Sequence, residues 1–221
     1  MNDKEVLNAV KQLRSSENKK KFNQTVDFVV NLKNLNLKKP DEKVDLYVQL
    51  PNGRGKKVKV CMFADEATLL QAQKVFDKVV DKAEFVKYAK DKKLVKKLAS
   101  EFDFFVAQAN LMPEVAKTFG RVLGQKGKMP NPKAGCVVPD KVDLKAVYDR
   151  LQKTVRLQTK NELAVKCPVG TEDMQDEKLV ENVMAVYNNL LRSLPQGENN
   201  MKAVLLKLTM SPAVKVGGAN E

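Results

Sequence analysis

The spacing of apolar residues changes period several times along the chain, and the changes divide it into parts. Between residues 3 and 14, Val6, Leu7, Val10 and Leu13 recur at helical spacing behind Asp3, a residue suited to cap an amino end. After Lys19, Lys20 and Lys21 the period falls to two. Phe22, Val26, Phe28, Val30 and Leu32 occupy one face of a predicted strand, with Gln24 the polar exception; Asn23, Thr25, Asp27 and Asn31 lie opposite. Pro40 interrupts. Val44, Leu46, Val48 and Leu50 then alternate up to the turn signal Pro51-Asn52-Gly53.

A different pattern begins at Val58. A short strand over about 57–63 leads to a helix over about 66–77, with Leu69, Ala72, Val75 and Phe76 inward. One further helix is predicted over about 82–99, carrying Phe85, Val86, Leu94, Val95 and Leu98 among seven lysines. The near-continuous apolar run Phe102 to Ala107 has the mark of a strand covered on both faces. A helix over 111–119, a glycine-proline loop, a short strand at 136–138 and a helix holding Leu144, Val147, Tyr148 and Leu151 follow. Such strand–helix alternation argues for a parallel sheet with crossover helices.

Past Thr154 the alternation returns, with strands near 154–159 and 163–167, an amphipathic helix from Asp176 to Leu194, and a last strand aligning Val204, Leu206, Leu208 and Met210. The ends therefore look alike and the middle does not. Neither end, at roughly 60 residues, closes a good core alone. The economical solution is one α+β domain made from residues 1–65 and 156–221, with an α/β domain of 66–155 inserted.

Composition narrows the partners. Forty lysines and arginines against 27 acids leave a net charge of +13, which favours a polyanion through phosphate contact and counterion release. No apolar run approaches the ~18–20 residues that span a bilayer, and the opening Met1-Asn2-Asp3-Lys4-Glu5 is no signal peptide, so a membrane role is the weakest option. Cys61, Cys136 and Cys167 are far apart and lack Cys-x-x-Cys spacing; they read as reduced, mostly buried residues of a cytosolic protein. The count of histidines is 0, which removes Ser-His-Asp and Cys-His catalysis and the usual zinc ligands. Aromatics are only 6%, which disfavours a reader that stacks single-stranded bases on a sheet.

The stretch from Gly120 to Gly135 concentrates Gly120, Gly124, Gly127 and Gly135 beside Pro130 and Pro132, with Arg121, Lys126, Lys128 and Lys133 unbalanced by any carboxylate. No helix or strand is expected to pass through it. It predicts a shaped cationic surface loop, and on the residues alone a solvated connection and a functional loop stand level. A Walker-type phosphate loop is excluded. Counting back from Gly127-Lys128, the first glycine would fall on Val122, and Met129 stands where the metal-binding hydroxyl belongs.

This run resembles the signature of the ribosomal protein L-one family, which forms the mobile stalk of the large ribosomal subunit beside the tRNA exit site. Lys21-Phe22-Asn23-Gln24-Thr25-Val26 and Thr209-Met210-Ser211-Pro212 look like further pieces of the same family, in order, so the resemblance spans nearly the whole chain. With no extra amino-terminal helix, the chain is more similar to the archaeal branch than to the bacterial one. The resemblance implies an α+β domain built from both termini in a split β-α-β arrangement, carrying an inserted Rossmann-like three-layer α/β domain on a hinge of two connections. It also implies a non-catalytic cytoplasmic protein without cofactor, monomeric when free. Such a protein binds large-subunit rRNA, forms the stalk, assists release of exit-site tRNA, and represses translation by binding its own operon mRNA.

For the rRNA and mRNA surface the resemblance implies Lys20, Lys21, Phe22, Gln24, Thr25, Lys160, Thr209, Met210, Ser211 and Pro212. Toward tRNA or an interdomain cleft it implies Gly120, Arg121, Gly124, Lys126, Gly127, Lys128 and Lys133. Three positions depart from the family pattern: Ser211 stands where many members have glycine, Gln24 replaces a frequent acid, and Lys160 replaces a common bacterial aspartate. On the residues alone, Phe22 and Met210 read as core residues at strand ends and the hydroxyls as solvated. If the first and last long strands lie side by side, the same residues form a flat patch of ring, thioether, hydroxyls and ammonium. Such a patch suits the shallow minor groove and 2′-hydroxyls of structured RNA.

The run Arg54–Lys59 reads as a solvated turn and strand, with nucleic-acid contact the lesser alternative, and Lys87–Lys97 as a solvated helix face ahead of any specific role. Two rivals remain: an α/β enzyme holding a phosphorylated small molecule at the 120–135 loop, and a generic basic DNA binder. The first lacks a catalytic pair at any useful spacing from that loop.

Overall fold

The computed structural model describes residues 1–15, 20–39, 42–139 and 142–217. Lys19 and Pro40 lie outside them. The elements open with α1 (Asp3–Leu13), β1 (Thr25–Leu32), β2 (Asp45–Gln49), β3 (Val60–Ala64), α2 (Glu66–Val75) and β4 (Lys78–Asp81). They continue through α3 (Phe85–Lys90), α4 (Lys92–Glu101), β5 (Phe104–Gln108), α5 (Met112–Gln125) and β6 (Val137–Val138). The last are α6 (Leu144–Lys153), β7 (Thr154–Gln158), β8 (Ala164–Thr171), α7 (Asp176–Ser193), β9 (Met201–Leu208) and β10 (Val214–Lys215). The chain gathers into two compact units: residues 1–56 with those from 153 onward, and residues 57–152.

In the first unit an antiparallel sheet runs in the order β10-β9-β1-β8, beside a two-stranded ribbon of β2 and β7. β1 alternates strictly, sending Val26, Phe28, Val30 and Leu32 into the core. There they meet Leu206 and Leu208 of β9, Val165 and Cys167 of β8, and the apolar stripes of α1 (Val6, Val10, Leu13) and α7 (Leu179, Val183, Val186, Leu190). Burying a side chain of that size stabilises by about 1.5–3 kcal/mol, so this face holds the two helices against the sheet. The cap of α1 is Asn2 rather than Asp3, in a reciprocal box with Glu5, whose carboxylate accepts from Asn2 N at 2.8 Å. The fully buried Asn182 amide donates to Gly53 O (2.9 Å) and Val169 O (2.8 Å) and accepts from Asn52 N (3.1 Å). A polar core group thereby fixes the turn after β2.

The second unit is a parallel sheet in the order β4-β3-β5-β6. Val60-Cys61-Met62-Phe63-Ala64 is buried along its whole length, as a strand covered on both faces requires. On one face Phe63, Phe105, Phe85, Tyr88 and Phe119 cluster around α3, α4 and α5, with the Phe63–Phe119 centroids 4.7 Å apart. On the other, Phe76 meets Tyr148 of α6 edge to face at 5.7 Å. Because β3 belongs to this sheet, the unit begins at residue 57 and ends at 152, whereas the apolar pattern put its limits at 66 and 155.

Three expectations fail locally, each for a physical reason. α5 does not stop before the glycines; it runs through Gly120 and Gly124 to Gln125. Burial of Val115, Phe119 and Leu123 on its inner face outweighs the ~1 kcal/mol each glycine costs inside a helix. The single helix expected over 82–99 is two, broken at Asp91, whose extended backbone (φ −118°, ψ 98°) lets its carboxylate accept from Lys93 N at 2.8 Å and start α4. β4 was not expected, since Lys-Val-Val-Asp is too short to show a period; it is an edge strand with Val80 alone fully buried.

Asp77 ties the start of β3 to α6. Its carboxylate accepts from Val60 N (3.0 Å) and the Tyr148 hydroxyl (3.3 Å) and pairs with Lys57 (2.7 Å). Burial raises its pKa, but these partners outweigh burial and hold it below the ordinary 3.8. A lowered folded-state pKa adds stability above the unfolded value and loses it as pH falls through the folded one. Asp77→Asn is therefore expected to lower the urea midpoint at pH 7, with the difference from wild type closing as pH drops below 3.8.

The three cysteines are free and buried. Burial pushes the Cys61 and Cys167 thiols up to about 12 and Cys136 to about 11, so none is a ready nucleophile. No described helix is long and apolar enough to cross a membrane.

Candidate nucleic-acid interface

Antiparallel pairing sets Val26 of β1 opposite Leu208 of β9 on one side and Gly170 of β8 on the other. The residues just outside β1 and β9 therefore meet at one end of the sheet. Thr25 N donates to Thr209 Oγ1 (3.2 Å), and Met210 N donates to the Gln24 side-chain oxygen (3.1 Å). Ser211 Oγ accepts from Leu208 N (2.9 Å) and donates to Pro212 O (3.0 Å), closing the turn that follows β9.

The geometry revises the roles that the pattern suggested. Phe22 and Met210 do not continue the inward faces of their strands; both lie beyond the strand ends, 51% and 64% exposed. Gln24, the polar exception, is 0% exposed. Its amide also donates to Glu172 (3.3 Å), so it links the chain before β1 to the turns after β8 and β9. Ser211 is buried as well, its hydroxyl engaged within the turn. Lys20, Lys21, Thr209 and Pro212 are exposed. The patch thus presents a ring, a thioether and ammonium groups outward, with Gln24 and Ser211 as the fastenings underneath.

Lys160 does not join it. It lies exposed between β7 and β8, and Ala164 pairs with Asn31 while Thr171 pairs with Thr25. Six residue steps along β1, on the order of 20 Å, separate it from the patch.

Two features of this end were not legible as a site. Lys56 donates to Thr25 Oγ1 at 3.0 Å, at the end of a turn in which Gly55 (φ +73°) packs so tightly that a Cβ would come within 2.3 Å of Thr171 Oγ1. The run Arg54–Lys59 was visible in the sequence, but the reach of Lys56 to Thr25 is tertiary. Acids also border the patch: Asn23 donates to Asp173, and a shallow cleft of about 520 Å3 is lined by Arg14, Lys20, Lys21, Phe22, Glu172 and Asp173 among others. Nearby Asp27 is half-buried, and burial raises its carboxyl above the usual range despite Lys207 and Lys56.

The glycine-rich stretch is partly helix and partly fastening. Lys126 donates to Ser100 Oγ (2.5 Å) and the half-buried Lys128 to Phe102 O (2.6 Å), the latter's pKa lowered by burial. Gly135 (φ +66°) lies under Arg150, whose guanidinium donates to Gly135 O at 2.9 Å; a Cβ there would sit 1.9 Å from that nitrogen. Arg121 and Lys133 remain exposed, Gly124 is exposed and Gly120 and Gly127 are half-buried. The side chains of Lys126 and Lys128 thus bind the loop to the chain ahead of β5.

A basic α/β chain with an outward patch of this chemistry, and no cluster of metal-binding side chains among the described residues, is suited to a polyanionic partner. The sequence profile of the Ribosomal protein L1p/L10e family matches residues 13–212, and the chain belongs to that family. It is 43% identical over 211 residues, covering 96% of both chains, to the large ribosomal subunit protein uL1 of Thermococcus kodakarensis. It is 41% identical over 213 residues to the protein of the same name from Pyrococcus horikoshii, with 96% of this chain and 95% of that one covered. The likeness to that of Methanothermobacter thermautotrophicus is also 41% over 213 residues, covering 96% and 98%. These are ribosomal proteins rather than enzymes, which removes the phosphorylated-metabolite reading of the loop.

Proposed function

We propose that the chain is the large-subunit protein uL1 of its cell and grips large-subunit rRNA with the patch at the Thr25–Thr209 end of the terminal sheet. Lys20, Lys21, Phe22, Thr25, Thr209, Met210 and Pro212 contact RNA, while Gln24 and Ser211 hold the backbone in place for them. The observation that carries this reading is the hydrogen bond from Thr25 N to Thr209 Oγ1, which brings two sequence-distant motifs into one exposed surface. A patch of donors, a ring and a sulfur fits the 2′-hydroxyl and sugar faces of folded RNA. Residues 1–56 and 153–217 serve as the RNA-binding domain, and 57–152 as a domain inserted into it.

On this reading the protein forms the mobile stalk, works in the cytoplasm as part of the ribosome, assists exit-site tRNA release, and is monomeric when free. Arg121 and Lys133 are the cations of the glycine-rich stretch left to meet tRNA. Free protein also represses its own operon, because an mRNA element sharing the rRNA shape competes for one surface.

Nuclease footprinting on purified large-subunit rRNA and on the protein's own transcript tests both parts. A single compact protected hairpin region on each is expected. Diffuse protection of the rRNA overturns the site; an own-message leader bound no better than random RNA overturns the repressor role alone.

A further inference from the structure

Two stretches join the inserted unit to the rest of the chain, and both are pinned up to the boundary. On the first, Leu50 N donates to Lys153 O at 2.9 Å, and the Asn182 amide donates to Gly53 O at 2.9 Å. Gly55 packs on Thr171 and Lys56 reaches Thr25 Oγ1 at 3.0 Å, so residues 50–56 are fastened to the terminal unit. From the next residue the bonds run to the inserted unit. Lys57 pairs with Asp77 (2.7 Å), and Lys59 O accepts from Asp103 N (2.9 Å). The second stretch has no loop at all: α6 ends at Lys153 and β7 begins at Thr154.

One side chain ties the two stretches to each other. Gln152, half-buried in the last turn of α6, donates from Nε2 to Val58 O at 2.7 Å and accepts from Val58 N at 2.8 Å. An amide that answers both backbone groups of one residue does what a neighbouring strand does in an antiparallel hydrogen-bonded pair. Val58 is 2% exposed, so its N–H and C=O need such partners. Leu151, 0% exposed, anchors the turn of helix that carries the amide.

We infer that Gln152 is a positioning residue for movement of the inserted unit: it clasps the two connections side by side, so that they bend together. What is left to move is the Lys56–Lys57 link on one stretch and the Gln152–Lys153 link on the other, a hinge without slack at element ends. A body held by one chain can twist about it. A body held by two clasped chains swings about the line through both, so the clasp turns a tether into an axis. The inference deepens the mobile-stalk reading and rests on it.

The test places donor and acceptor dyes on the full chain at Lys11→Cys of α1 and Leu70→Cys of α2, both exposed positions. The three native thiols are buried with raised pKa values and stay unlabelled. Single-molecule energy transfer should give a bounded spread of distances with Gln152 in place. Gln152→Ala removes both bonds and should raise the share of molecules outside that spread at least about fivefold. Gln152→Glu near pH 7 lacks the proton for Val58 O and should behave like the alanine variant. At about pH 4.5 its carboxyl, raised by burial and the facing carbonyl above the ordinary ~4.3, regains that proton, and the bounded spread should return. The chains with Gln152 and with Gln152→Ala should not respond to that pH change, and circular dichroism at both pH values checks the fold. A spread that Gln152→Ala leaves unchanged overturns the inference alone, as does a Gln152→Glu variant that ignores pH. One fixed distance in every variant overturns the mobile-stalk reading with it.

Discussion

Thr209→Ala and Met210→Ala are each expected to weaken binding to the rRNA hairpin by roughly 1–3 kcal/mol, a loss of about 5- to 150-fold. The two act differently. Met210 is 64% exposed, so its truncation removes surface from the contact and leaves the fold intact. Thr209 also accepts the N–H of Thr25, so its loss loosens the junction of the two chain ends as well. Thr209→Ser keeps the acceptor and should recover most of the affinity; if it behaves like alanine, the methyl rather than the hydroxyl matters. Gel-shift titration at fixed salt measures both, with circular dichroism confirming an unchanged fold. Wild-type affinity in both alanine variants would remove the RNA site from this end of the sheet.

The largest loss of stability should come from Phe119→Ala, at about 3–5 kcal/mol. Phe119 is 0% exposed and sits among Phe63 (4.7 Å), Phe85 (5.3 Å) and Tyr88 (5.4 Å) between centroids. Removing the ring leaves a cavity that three rigid aromatics cannot close, in a fold whose total stability is of order 5–15 kcal/mol. Leu70→Ala, at a position 74% exposed, should change the midpoint by under about 0.5 kcal/mol and serves as the control. The chain has 0 tryptophans, so far-ultraviolet circular dichroism in urea is the suitable probe. A loss below ~1 kcal/mol at Phe119 would mean that the aromatic cluster is not the core of this unit.

Where a period persisted for several residues, the pattern identified the element. β1, β5, α1 and α7 are long or uniformly apolar enough for side-chain spacing to settle their type. What escaped was decided elsewhere. α5 passes through two glycines because Phe119 and Leu123 are buried on the other side of the helix, and no local propensity contains that information. Asp91 reads equally as a solvated acid or a cap until the backbone around it is seen. At the patch, the pattern put Phe22 and Met210 in line with their strands and so pointed them inward. β1 begins only after Phe22 and β9 ends before Met210, and both side chains are exposed. Gln24 shows the converse: a polar residue on an apolar face looked like an interruption, and it is the group through which Met210 and Glu172 are joined. Lys160 was carried over by likeness alone, and the register of β1 and β8 separates it from the rest.

The placement of β1 between β8 and β9 has a consequence for how the molecule is made. Thr25 and Thr209, hydrogen-bonded to each other, are 184 positions apart along the chain. During synthesis every strand of the 57–152 unit is in hand before β8 or β9 exists, while β1 waits with both flanks bare. A nascent or prematurely terminated polypeptide therefore lacks half of the surface proposed to hold RNA. If the proposed surface is the binding site, competition for rRNA through it belongs to finished molecules.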